Sequence, residues 1–437
     1  MQFFEDLGSS VEQRWRDQNY DDEVFPAIAL EALSEANPNK HVDPWDIIRW
    51  LNKTPQLPEQ RDVDGNFGNP PITLYNGPRF YIDVYYWLDG TTSIHQHSFC
   101  GAFQVLLGSS LLSQYTFEEN RRIDDHLKTG RIVLNSVELL KSGDVREILP
   151  GRQYIHSLFH LDRPSASIII RTQQTLSGFP QYNYLKPYFA MDPFFKSIAT
   201  TKRVRGASLL LSMNHPDADE MIGELLSSSD FQTAFPVIEL LYDRLANDPI
   251  EKAFGVSTGE ERFEALLGIA RRRHGELVDL ILPVIDEVRR QNYIIYRRGQ
   301  VTGNDHRFFL ALLLNVPERS KVLDLVRQRF PEQDPVDTIT EWVEELASMR
   351  AAGSHEPNVL GIENFDEDYL FVFQSLLEGL TLEQTKKAFA EELPPEDAEN
   401  LEGKVEKLYS DIRNSMLFKS IFLDAALPAT AQSSLAI

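Results

Sequence analysis

Three histidines carry the strongest chemical signal in this chain. His95 and His97 stand two apart in the segment Gly90-Thr-Thr-Ser-Ile-His95-Gln-His97. On a β-strand such neighbours project from the same face, so both imidazoles can reach one point. His156 follows in Tyr154-Ile155-His156, just past the turn signal Pro150-Gly151. Imidazole suits Fe, Zn, Cu or Ni. Taken alone, a His-x-His pair reads as two surface side chains. The third histidine and the strand-rich setting shift the reading to one metal ion held by His95, His97 and His156.

That geometry requires strands around these residues. Arg79 to Leu88 is dense in aromatic and β-branched residues and reads as a strand. Further strands are expected at residues 93–97, 102–107, 109–117, 131–140, 144–149, 154–160 and 165–172. Turn signals at Asp89-Gly90, Gly108, Ser142-Gly143 and Pro150-Gly151 separate them. Many short strands at regular intervals argue for a sandwich or barrel.

Helical texture flanks the strands on both sides. Phe3, Phe4, Leu7, Val11 and Trp15 recur at helical spacing, and Asp43-Pro44 reads as the start of a second helix. Residues 55–77 read as a loop. Beyond about residue 190, helices are expected at 220–226, 235–245, 261–289, 308–330, 336–349, 367–377 and 382–393. Asp334-Pro335 and Thr381 with Glu383 look like helix starts. Residues 425–437 are small and polar and read as a frayed tail. The division expected is an N-terminal helical arm and loop at 1–75, a barrel at 76–190 and an all-α region at 191–437.

Composition narrows the partners. The chain has 437 residues, room for two or three domains, and 42% of them are hydrophobic. Its formal net charge of −23 repels phosphate, so nucleic acid and anionic membranes are not expected partners. Cys100 is the single cysteine, which leaves no internal disulfide. The opening residues lack a signal-peptide pattern, and the most apolar run, 308–316, is too short to span a bilayer. A soluble, cytoplasmic protein is expected.

The histidine segments resemble the two motifs of the cupin superfamily, over about residues 79–175. Gly90, His95, His97 and Gly108 fit the first motif, with one residue fewer after the glycine. Gly143, Pro150-Gly151 and His156 fit the second, with one extra residue in each gap. The carboxylate ligand of the first motif falls on Gly101. A three-histidine site without that carboxylate is similar to the cysteine dioxygenase group of thiol dioxygenases. The text after it, Ala102 to Gly108, and the strand ending in Arg171 are also similar to that group. The resemblance implies an α+β protein. Its centre would be a double-stranded β-helix (jelly-roll) barrel carrying Fe(II), with Zn, Mn or Ni as alternatives. Substrate and O₂ would bind that iron.

The departures from the group are specific. Its tyrosine on the last strand is Arg171 here, and the serine and histidine behind that tyrosine map to Ser167 and Ile169. Neither the substrate arginine nor a cysteine–tyrosine crosslink has an equivalent, which puts cysteine itself in doubt as substrate. Arg171 either reaches into the barrel to grip a carboxylate in a two-pronged pair or points into solvent. Tyr154 and His160 share the strand face of His156. Tyr154 is expected at the pocket, while His160 is a supporting donor, a replacement ligand or a half-buried histidine with a backbone partner. Gln104 reads as core or as a residue behind the ligands.

The expected function is a mononuclear non-haem iron oxygenase for a small or peptide-borne substrate. Two alternatives remain. One is another metal-dependent cupin enzyme, an isomerase, decarboxylase or hydrolase. The other is a non-catalytic ligand sensor with a partner-binding helical region. That region could instead form a homodimer or cover the barrel mouth.

Overall fold

Aromatic and β-branched runs form the strands, and burial on both faces explains why so many of them are apolar throughout. The computed structural model describes residues 1–61, 68–88, 92–173, 180–246, 258–351, 356–392 and 401–422. The Asp89-Gly90 turn and the tail at 425–437 lie outside these.

Eleven strands are assigned among the described residues. They are β1 (Pro71–Asn76), β2 (Phe80–Trp87), β3 (Ile94–His95), β4 (Gly101–Leu107), β5 (Ser109–Arg122), β6 (Leu127–Lys141), β7 (Val145–Ile148), β8 (Ile155–His160), β9 (Ser165–Thr172), β10 (Asn183–Leu185) and β11 (Phe189–Met191). One sheet has the order β1-β2-β9-β4-β7, and the other closes as a six-stranded barrel, β10-β11-β6-β5-β8-β3. All these ladders are antiparallel.

The two sheets share an apolar layer. Tyr85, Trp87, Phe103 and Ile169 come from the first, and Leu112, Leu140 and Leu158 from the second. Alternation sends the other face of β2 and β9 outward: Phe80, Ile82, Val84, Ile168 and Ile170 pack on the N-terminal helices. Those helices are α1 (Gln2–Asp17), α2 (Phe25–Ala36), α3 (Pro38–His41) and α4 (Pro44–Lys53). Asp43 caps α4 by accepting from the Trp45 N–H, as its position before Pro44 predicts.

The later helices are α5 (Ile198–Ser212), α6 (Ala218–Ser228), α7 (Phe231–Leu241), α8 (Thr258–His274), α9 (Ile281–Gln300), α10 (Asn304–Asn315), α11 (Arg319–Arg329), α12 (Pro335–Ser348), α13 (Glu367–Glu378), α14 (Leu382–Glu392) and α15 (Leu401–Asn414). Leu111, Leu139 and Phe159 of the six-stranded sheet, with Leu161 just past β8, join the core of α10 to α13. Buried Arg298 of α9 reinforces that seam, donating to the backbone carbonyls of His160 at 3.2 Å and Leu161 at 2.8 Å.

Several expected elements are corrected. The helix expected at 261–289 breaks at Gly275, whose φ of +64° ends α8. The one expected at 308–330 divides at Val316-Pro317, because proline lacks an N–H and pushes Val316 to an extended conformation. The segment 55–77, read as a loop, contains edge strand β1. Pro71 is tolerated there as the first residue of an edge strand. On that edge Gln60 takes the place of a neighbouring strand, exchanging two 3.0 Å hydrogen bonds with the Thr73 backbone. Strands β10 and β11 and helices α5 and α15 are additional to the expected elements.

Candidate metal centre

Strand pairing brings the histidines together. β3 and β8 place His95 directly opposite His156. His97 forms a bridge with Pro150, and its carbonyl accepts from the Gly151 N–H at 2.7 Å. All three side chains are buried, and their ligand nitrogens lie within 4.8 Å of one another. The Nε2 atoms of His97 and His156 are 2.9 Å apart. Two ligands about 2.1 Å from one ion and at right angles to each other stand about 3 Å apart.

A metal fits this donor set. His95 Nδ1 lies 2.7 Å from the Ser93 carbonyl, which makes it the protonated nitrogen and leaves Nε2 as the lone-pair donor. Among the described residues, neither His97 Nδ1 nor His156 Nδ1 has a hydrogen-bond partner. Whichever ring donates across the 2.9 Å contact, the other must carry its proton on an unpartnered, buried Nδ1. A cation between the two Nε2 lone pairs uses both at once. Burial pushes all three pKa values down. For His97 the neighbouring His95, His156 and Arg171 push further in the same direction. Neutral imidazole is the form that ligates metal.

Arg171 faces inward. It shares the face of β9 that carries Ile169, in the shared apolar layer, and Ser167, which accepts from Trp87 Nε1 at 3.2 Å. Its guanidinium carbon lies 3.3 Å from the ring centroid of Phe99 and 5.2 Å from that of Tyr81. Its Nε has no hydrogen-bond partner among the described residues. Tyr154 also lies at the cluster, its ring 4.4 Å from that of His156. Its buried hydroxyl has no partner among the described residues, and burial pushes the phenol pKa up, so it stays protonated.

Two other residues lie apart from the cluster. His160 sits four positions along β8 from His156, about 13 Å away at strand spacing. It stacks on Trp87 at 4.4 Å and meets Ser110 Oγ at 3.2 Å. It is not among the three converging histidines, so the replacement-ligand reading is not realised. Gln104 faces away, accepting from the Asn39 N–H and donating to the Gly143 carbonyl.

Gly101 shows why no carboxylate stands at that position. A Cβ there would lie 1.9 Å from the Ile170 carbonyl oxygen of the neighbouring strand. Phe99, Tyr81 and Ser93 also belong to the surroundings of the cluster, in addition to the residues expected there. Phe99 is two past His97, on the same alternation, and that spacing was the available signal.

No family model matches this chain, and no curated protein matches it. Solved structures that align include a DMSP lyase from Ruegeria pomeroyi, at 14% identity and TM-score 0.19, covering 29% of this chain and 55% of that one. This chain therefore spans about half the length of that lyase. A polyketide cyclase from Streptomyces resistomycificus aligns at 15% identity and TM-score 0.19, covering 30% of this chain and 77% of that one. A cupin superfamily protein from Desulfitobacterium hafniense aligns at 16% identity and TM-score 0.17, covering 27% of this chain and 95% of that one. At such scores the likeness carries no argument about function. Among the described residues, no helix is long and apolar enough to cross a membrane.

Proposed function

We propose that the two sheets form a cupin-type double-stranded β-helix. In it, His95, His97 and His156 hold one metal ion, Fe(II) in preference to Zn, Mn or Ni, for oxygenase chemistry on a small or peptide-borne anion. The observation that supports this most is the convergence of three buried, neutral imidazoles within 4.8 Å, with no carboxylate in that group among the described residues. When bound, Fe(II) would supply redox chemistry and open positions for substrate and O₂.

The surrounding side chains suit such a substrate. Arg171 is held over Phe99 with its Nε unpaired among the described residues, which matches a carboxylate. Tyr154, kept protonated by burial, can donate one hydrogen bond to the same molecule. Phe99, Tyr85 and Trp87 exclude water around them. Cysteine is not favoured as substrate, because Arg171 replaces the tyrosine of the cysteine dioxygenases.

The test is oxygen consumption by the full chain, loaded anaerobically with Fe(II), against a panel of thiols and carboxylates. Substrate-dependent uptake that disappears in His97→Ala supports the reading. Absence of uptake with every compound, from protein that demonstrably holds iron, overturns the oxygenase assignment.

A further inference from the structure

A cavity lies behind the segment that carries His95 and His97. It has a volume of about 410 Å³, and its walls include Phe117, Arg122, Lys128, Arg152, Tyr182 and Tyr184. Gln96 also lines it. Because Gln96 lies between His95 and His97, alternation points its side chain to the face opposite theirs. Gln96 is fixed there: Tyr184 Oη donates to its Oε1 at 2.5 Å, and its Nε2 donates to the Pro180 carbonyl. The cavity is therefore distinct from the three-histidine cluster.

Its charge runs against that of the whole protein. The chain carries a net −23. Among the described residues lining the cavity, three are cationic and none is acidic. Lys128 and Arg152 share a single carboxylate oxygen, Glu119 Oε2, at 3.4 and 3.0 Å. Arg122 pairs with Asp125. The carboxylates that pair with these three cations, Glu119 and Asp125, stand outside the cavity lining. Phe117, Tyr182 and Tyr184 add aromatic surface, and Lys128 sits 4.8 Å from the Tyr182 ring centroid.

We propose that this cavity binds a small organic monoanion. Its carboxylate would lie against Arg152 and Lys128, with Arg122 at the rim and a flat body against the aromatic wall. Few convergent polar groups in a mostly apolar cavity of this size are the usual makings of a ligand site. A carboxylate would complete the donor set of Arg152, whose Nη1 and Nη2 currently serve Glu119 and the Phe117 carbonyl.

Benzoate is the probe, with benzamide as its neutral isostere, titrated calorimetrically into the full chain. The expected result is saturable benzoate binding, weakened about tenfold in Arg152→Gln and in Arg122→Gln, and retained in His97→Ala. Benzamide should bind at least about tenfold more weakly. The exposed Arg122 decides the matter if Arg152→Gln disturbs folding by circular dichroism. No saturable binding, equal binding of benzamide, or full affinity in both arginine variants would overturn the proposal. Loss of binding in His97→Ala would overturn it too, by placing benzoate at the histidines.

Discussion

The guanidinium carbon of Arg171 lies 3.3 Å from the ring centroid of Phe99, and Phe99 in turn packs 4.2 Å from the ring of His97. One aromatic ring thus separates a fixed positive charge from the candidate metal ligands. Among the described residues, Arg171 Nε has no hydrogen-bond partner. Replacing Arg171 by Met should leave bound metal unchanged while weakening a small thiol carboxylate about 10- to 100-fold. Arg171→Lys should recover only part, since lysine lacks the two-pronged fork. Titration of the three metal-loaded proteins checks this, and equal affinities would remove Arg171 from the substrate site.

Gly101 sets a steric limit. Its missing Cβ would stand 1.9 Å from the Ile170 carbonyl. Gly101→Ala should cost roughly 2–4 kcal/mol in urea denaturation, because β4 and β9 must separate locally to accept it. A cost below about 0.5 kcal/mol would mean that the strands yield freely there.

His160 ties stability to pH. Burial, aided by the charge of Arg298, lowers its pKa from 6.5 to about 3. The unfolded chain therefore takes up a proton near pH 6.5 that the folded chain refuses until about pH 3. The stabilisation is fully present above pH 6.5 and is lost as pH falls through this window, by up to about 1.4 kcal/mol per pH unit. Denaturation curves for the parent and His160→Gln should converge between pH 7.5 and 5, with the parent losing roughly 2 kcal/mol more. Curves that stay parallel would contradict the buried neutral histidine.

The seam between sheet and helices depends on Arg298. Truncation to Ala strands the carbonyls of His160 and Leu161 and should destabilise the protein by roughly 2–4 kcal/mol. Because those carbonyls flank the end of β8, amide exchange should rise along β8 as well as along α9. Exchange confined to α9 would show that β8 does not rely on that contact.

The histidine cluster was legible because strand alternation is a local rule: two residues apart means one face. The same rule, applied from Ile169, sets the inward face of Arg171. What escaped was tertiary. Nothing in the sequence near Gly101 announces the Ile170 carbonyl pressed against it. Strands β10 and β11 are three residues each, too short for any period to show. The cavity behind Gln96, walled partly by Tyr182 and Tyr184, was therefore invisible. The breaks at Gly275 and Pro317 are a different matter, since both residues are ordinary helix terminators that apolar periodicity had outweighed.

Metal content tests the central claim most directly. The full chain, loaded anaerobically with Fe(II) and desalted, should retain about one ion by elemental analysis, as a single three-imidazole site requires. His95→Ala and His156→Ala should retain almost none, while His160→Ala keeps the full amount. Parent protein that holds no metal, or variants that hold as much as the parent, would contradict a metal centre built from these three histidines.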